Sequence, residues 1–155
     1  MATHNRAGEI TYTHINGLTY EFTITTYTKE SAPADRCDLN INFGDNSSAT
    51  FLRENGPIGS CPLPARMGEV LSGDFKRNIY RGQHTFPAQG IYTISVEDQN
   101  RNSGVNNFPN SVNVPFFIQT TLRINGQLGA NNSVQLLNPP IDDGWKKYAD
   151  IPLAT

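Results

Sequence analysis

Apolar and polar residues alternate with a period of two through most of this chain. Leu18, Tyr20, Phe22 and Ile24 are interleaved with Thr19, Glu21, Thr23 and Thr25, the pattern of a strand with one buried face. Residues 9–15 carry similar character just before it. Asn16-Gly17 between the two tolerates the positive φ angles of a type I′ turn, so 9–15 and 18–28 are expected to form an antiparallel hairpin. Leu39, Ile41 and Phe43 make a third alternating run, residues 76–86 a later one, and Tyr92, Ile94 and Val96 the buried face of another after a turn at Pro87 to Gly90. Val112, Val114, Phe116, Ile118, Leu122 and Ile124 all fall on even positions. A strand covering the whole of that run would be about 43 Å long, so a break is expected near Pro115, which cannot donate to a ladder. No apolar period of 3.6 residues is sustained anywhere. About seven strands with frequent turn signals predict an all-β sandwich.

Two stretches depart from this rhythm. Between Asn55 and Gly73, glycines, prolines and Cys61 interrupt any period, which predicts an insertion held against the sandwich. After Ile124 the composition shifts: Gly126, Gly129, Asn131 and Asn132 form a hinge, Val134, Leu136 and Leu137 one short apolar run, and Pro139-Pro140 excludes a continuing central strand. The sandwich is therefore expected over 1–125, with 126–155 as a linker, a docking arm or the opening strand of a following module. Trp145, Tyr148, Ile151 and Leu153 lack local partners for a core of their own and are the expected docking residues.

Composition narrows the function class. The hydrophobic share of 37% is low, as suits sheets that show one face to water, and lysine occurs only at 29, 76, 146 and 147. A net charge of -2, with no cluster of Lys and Arg, offers no field for a phosphate backbone, so nucleic acid is not an expected partner. No run approaches the ~18 apolar residues of a membrane helix. Residues 1–10 contain no apolar signal region, so export would need a signal outside this chain. Cys37 and Cys61 allow one intrachain disulfide or two free thiols. The bridge is the expectation, and it fits a secreted or cell-surface location.

Two segments carry a family likeness. Leu39-Asn40-Ile41-Asn42-Phe43-Gly44-Asp45-Asn46-Ser47-Ser48 and His84-Thr85-Phe86-Pro87-Ala88-Gln89-Gly90-Ile91-Tyr92-Thr93-Ile94-Ser95-Val96-Glu97-Asp98 resemble the strand-and-turn and His-Thr-Tyr motifs of the polycystic-kidney-disease (PKD) domain family. The chain departs from the family pattern at Ile41 (Trp), Asn42 (Asp) and Asn46 (Gly), although asparagine is the best non-glycine residue for a left-handed turn position. A narrower likeness is to repeat units in large surface proteins of gliding Bacteroidota. The resemblance implies an immunoglobulin-like sandwich acting as a spacer or adhesive unit, with no catalytic residues to carry over. It also implies that Gly90 permits a tight turn and that Tyr92 buries its ring while its hydroxyl caps a loop, as in a tyrosine corner. Tyr92 is then expected in the core and His84 at its margin.

Reactive groups are sparse. His4, His14 and His84 have no metal-ligand spacing, no serine lies in a nucleophile elbow, and Asp142-Asp143 reads as solvated charge. No enzyme and no obligatory cofactor are expected. Asp98, Asn100 and Asn102 place oxygen ligands at alternate positions of a loop and are the calcium candidates, a plain turn being the alternative. Asn46-Ser47-Ser48 and Asn131-Asn132-Ser133 match the glycosylation acceptor triplet. The leading expectation is a structural or adhesive module whose partners are neighbouring modules or identical subunits. The alternatives are a fibre subunit assembling through its C-terminal arm, and a carbohydrate-binding module in which Tyr27, Tyr80, Phe108, Trp145 or Tyr148 stack on surface glycans.

Overall fold

The computed structural model describes residues 5–99, 110, 113–127 and 129–134. These form eight strands: β1 (Asn5–Asn16), β2 (Thr19–Lys29), β3 (Asp38–Asn42), β4 (Ser48–Leu52), β5 (Glu69–Leu71), β6 (Phe75–Thr85), β7 (Gly90–Asp98) and β8 (Phe116–Ile124). They make two antiparallel four-stranded sheets, ordered β1-β2-β6-β5 and β4-β3-β7-β8. No α-helix occurs among the described residues, and the all-β sandwich expected from the alternation is observed.

The expected hairpin is present, with Ile10 opposite Ile24 and Tyr12 opposite Phe22. Its turn falls one residue later than Asn16-Gly17 suggests. Asn16 stays in the ladder opposite Thr19, the register slips between His14 and Asn16, and the loop is Gly17-Leu18 with φ of 51° at Gly17 alone. A bulge takes up the extra residue, so the I′ geometry is not needed. At the β3–β4 turn Gly44 (φ 75°) and Asn46 (φ 68°) both adopt left-handed backbone, as expected of Asn46. The long even-numbered run breaks after Pro115, where β8 begins at Phe116.

Strands β4 and β5 had no clear signal in the sequence. Ser48–Leu52 has only Phe51 fully buried, and Glu69–Leu71 is a three-residue strand inside the irregular insertion. Beyond β4 the chain crosses between sheets: Arg53 bridges Tyr80 of β6, the Glu54 amide donates to the Ile79 carbonyl at 2.9 Å, and the Asn55 side chain bonds both the Arg77 carbonyl and the Ile79 amide. Asn55 thus satisfies β6 where β5 has ended.

Between the sheets lie Tyr12, Tyr20, Phe22, Ile24, Leu39, Ile41, Phe43, Phe51, Phe86, Ile94, Val96 and Leu122. The aromatic members meet edge-on or tilted, as Phe22 and Phe86 do at 6.1 Å, the geometry that ring quadrupoles favour. Each fully buried large apolar side chain contributes roughly 1.5–3 kcal/mol. Tyr27 and Tyr80 are buried too, against the expectation that they stack on a sugar. Tyr27 is flanked by its register partners Ala7 and Arg77, and Tyr80 sends its hydroxyl to the Arg36 carbonyl at 2.6 Å. Phe108, Trp145 and Tyr148 lie outside the described residues.

Residues 131–133 return to the sandwich. Asn131 donates to the Arg123 carbonyl of β8. His14 and Tyr12 of β1 donate their amides to Asn132 Oδ1 and Ser133 Oγ, both at 2.7 Å. This part of the segment 126–155 therefore touches the first sandwich directly. The docking candidates Trp145, Tyr148, Ile151 and Leu153 lie outside the described residues.

Candidate functional site

The densest polar cluster sits where the insertion meets the sheets. Alternation carries Ala49 and Phe51 inward, and Arg53 continues on the same side with no exposed surface. Its guanidinium donates to both carboxylate oxygens of Asp35 (2.6 and 2.7 Å), to Asn78 Oδ1 (2.8 Å) and, through Nε, to the Arg66 carbonyl (2.6 Å). Lys76 Nζ adds a second cation 3.0 Å from Asp35. Asn78 spends its amide nitrogen on Thr28. Burial pushes the Asp35 carboxyl up, but the hydrogen bonds from Arg53 and Lys76 outweigh it and hold the group below the usual carboxylate range. Burial raises the Tyr80 phenol well above its ordinary value.

The expected disulfide is formed: Cys37 and Cys61 are bonded, with Cα atoms 5.6 Å apart. It ties the insertion to the entry of β3 beside Arg53, whose Nη2 lies 3.0 Å from the Cys61 sulfur. Asp35, Cys37 and Cys61 place potential ligand atoms within 4.8 Å of one another. With both sulfurs in a covalent bond and a guanidinium against them, the group is not a cation site. The insertion is closed at its neck by Gly56 (φ 87°) and Gly68 (φ 81°), since a Cβ on Gly56 would stand 1.9 Å from the Gly68 carbonyl oxygen.

A second cluster joins the two family-like motifs. His84 Nε2 donates to Asp45 Oδ2 at 2.7 Å, and its ring stacks on Phe43 with centroids 3.9 Å apart and planes 4° from parallel. Ser47 donates its hydroxyl to the other oxygen of Asp45 and lies 3.5 Å from the same Nε2. Ser, His and Asp are thus together, but Asp45 and Ser47 share one imidazole nitrogen and the serine proton points at the carboxylate. A nucleophile relay needs the acid and the serine on opposite nitrogens, so this trio locks the β3–β4 turn onto β6. Burial works to raise the Asp45 carboxyl, and the Ser47 and His84 hydrogen bonds reverse it, leaving the group below its ordinary value. His84 is accordingly more engaged than its expected marginal place, while Tyr92 is only half-buried. The Tyr92 hydroxyl caps the preceding turn by donating to the Ala88 carbonyl at 2.9 Å.

The calcium candidate Asp98 ends β7 and is buried. It takes a hydrogen bond from Asn5 Nδ2 at 2.7 Å, one from the Gln99 amide at 2.8 Å, and an ion pair from Arg36 at 2.8 Å. Asn100 and Asn102 lie outside the described residues.

The two outer faces of the sandwich differ. On the β1-β2-β6-β5 sheet, Arg81 pairs with Glu21 and Glu54, and Arg77 with Glu69. The opposite sheet carries a row of register partners Ser48, Asn42, Ser95 and Gln119 across its four strands, with Thr93 opposite Thr121 beside it. Comparisons with family models, with curated proteins and with solved structures find no match.

The sequence pointed to the disulfide but not to Arg53, Asp35 or Asp45. Arg53 was within reach: once Ser48–Leu52 is accepted as a strand, parity alone puts residue 53 on the inward face. A buried arginine in turn demands a carboxylate.

Proposed function

We propose that this chain is a non-enzymatic structural or adhesive module of an exported cell-surface protein, built on an immunoglobulin-like fold of the PKD type. The strand orders support the fold reading, because β1-β2-β6-β5 and β4-β3-β7-β8 follow the order of an immunoglobulin-type sandwich with one extra strand beside β3. The Tyr92 hydroxyl on the Ala88 carbonyl, at the start of β7, matches a tyrosine corner. One observation carries the functional reading: the polar groups with chemical potential are spent inside the fold. Arg53 is closed on Asp35, His84 on Asp45, and Cys37 on Cys61. Each of these pairs fastens a loop to a sheet, which serves a module that must hold its shape outside the cell. The disulfide supports an oxidising compartment.

Fractionation of the source cells tests this reading, with free thiols alkylated before lysis and the chain detected by antibody. The expected result is surface-exposed protein, removed by protease on intact cells, with neither cysteine labelled. Recovery only from the cytosol with two labelled thiols would overturn it.

A further inference from the structure

The insertion between β4 and β5 holds apolar groups in solvent on a braced frame. Residues 56–60 and 62–64 are exposed and include no charged side chain. Among them Ile58 is 63% and Leu63 70% exposed, in the company of Pro57, Pro62 and Pro64. The frame behind them is fixed: the disulfide joins Cys61 to Cys37, the Arg66 amide donates to the Arg53 carbonyl at 2.8 Å, and the Met67 amide donates to the Pro57 carbonyl at 3.0 Å. Single apolar residues on a surface are ordinary. A run of them on a loop fastened by a disulfide and a buried arginine is a preformed contact, because its ordering entropy is already lost before a partner arrives.

The other end of the sandwich carries a complement to this tip. Register fixes the two ends: Asp98, which bonds Asn5 and Arg36, lies at the end where β3 begins and the insertion is fastened, whereas Gly90 faces Ile124 at the opposite one. There, where β1 and β8 finish and β2 begins, an open cleft of about 390 Å³ is lined by Leu18, Tyr20, Ile124 and Ala130, with His14 and Gln89 beside them. No Asp, Glu, Lys or Arg is among the described residues of its wall. The polar groups there are engaged locally, His14 Nε2 with the Gly17 carbonyl at 3.0 Å and Gln89 Oε1 with the Gly126 amide at 3.2 Å. What the cleft offers is uncharged, largely apolar surface. A cavity of about 150 Å³ already holds one benzene-sized group, so this one has room for two aliphatic side chains.

We infer that Ile58 and Leu63 of one copy of this chain seat in the cleft of the next, joining sandwiches head to tail. Tip and cleft stand at opposite ends of strands about 30 Å long, so a copy does not fill its own cleft. The contact is not two-fold: each pairing leaves one tip and one cleft free, and association runs on into an open chain or closes as a ring. A charged surface is a poor occupant for the tip, since the exposed run 56–60 and 62–64 has no cation or anion to meet it. This names the partner within the reading of the chain as a module among identical neighbours, and it rests on that reading. Two aliphatic side chains and their flanking prolines make a small interface, weak between free molecules. It becomes effective where copies are held close together, as adjacent modules or on one surface.

The experiment is sedimentation of the purified, oxidised full chain over about 0.05–1 mM, the range in which weak contacts become populated. The average mass is expected to rise with concentration past that of two copies. Ile58→Asp or Leu63→Asp at the tip, and Ala130→Asp or Ala130→Trp in the cleft, are each expected to weaken association at least tenfold with unchanged melting curves, all three positions being exposed. Gln119→Asp, on an outer sheet face, is expected to associate as the wild type does. An equal mixture of Ile58→Asp and Ala130→Asp is expected to form a dimer and nothing larger, because only one intact tip and one intact cleft remain to meet. A chain that stays monomeric throughout, or association that survives the tip variants, would overturn the inference. So would a cleft variant that associates normally while the tip variants do not, since the tip would then dock elsewhere. None of these results bears on where the protein resides, which cell fractionation decides separately.

Discussion

Arg53 and Asp35 form a two-pronged ion pair in which the guanidinium is wholly enclosed, while a quarter of the carboxylate side chain still reaches solvent. The partners are therefore not equivalent. Asp35→Ala strands a cation in the interior, the case that costs about 3–5 kcal/mol. Arg53→Met removes the cation, fills much of its volume, and leaves Asp35 its contacts with Lys76 and water. Denaturant midpoints should fall further for Asp35→Ala than for Arg53→Met, and the reverse order would mean that the carboxylate is the costlier group to leave alone.

The same carboxylate gives a pH dependence of known sign. Asp35 and Asp45 both titrate below their ordinary range in the folded chain, so folding favours their ionised forms. That contribution is complete above the unfolded value of about 3.9, and it is lost as pH falls through the depressed folded values. Melting temperature measured from pH 6 down to pH 2 should drop in this acid window. Asp35→Asn and Asp45→Asn should each flatten the drop while lowering stability at pH 6.

His84 and Tyr92 provide a comparison in which the more obvious aromatic matters less. Tyr92→Phe removes one hydrogen bond to a turn carbonyl, about 0.5–1.5 kcal/mol. His84→Ala removes a ring stacked on Phe43 and the donor that holds Asp45, whose side chain is nearly buried. Its cost should be larger, about 2–3 kcal/mol. Equal midpoints for the two variants would show that Ser47 alone can hold Asp45.

The disulfide closes a loop of sequence separation 24, for which chain entropy gives roughly 3–4 kcal/mol. Reduction with dithiothreitol should lower the guanidinium midpoint by the corresponding amount. Alkylation of the native, unreduced protein should add no mass. Two alkyl groups without reductant would refute the bridge.

Much of the architecture was legible because a sheet writes its two faces into the sequence as parity. Tyr20, Phe22, Ile24, Leu39, Ile41 and Phe43 could be placed by counting in twos, and Pro115 announced the start of β8 by lacking a donor. Parity failed where strands were short: β5 has three residues, and β4 carries its inward signal on Ala49 and Phe51 before ending in an arginine. It also failed at Tyr27, because β2 is buried on both faces from Ile24 to Thr28 and exposure there depends on what crosses above. The polar clusters were least legible. Asp35 with Arg53, and Asp45 with His84, are 18 and 39 residues apart and meet only through the fold. Parity can single out Arg53, but nothing local marks Asp35, Asp45 or His84 as half of a pair.

The return of residues 131–133 onto β1 bears on how this molecule behaves when crowded. β1 is an edge strand, and an open edge is a template on which another chain can extend the sheet and begin to aggregate. The outward amides of Tyr12 and His14 are met by the side chains of Ser133 and Asn132. The Ser133 amide also donates to the Tyr12 carbonyl at 3.0 Å, but residues 131–134 form no strand, so along the described residues the edge is met there without a regular row of fresh donors and acceptors. Copies of the sandwich can therefore stand side by side at high local density without fusing along this stretch.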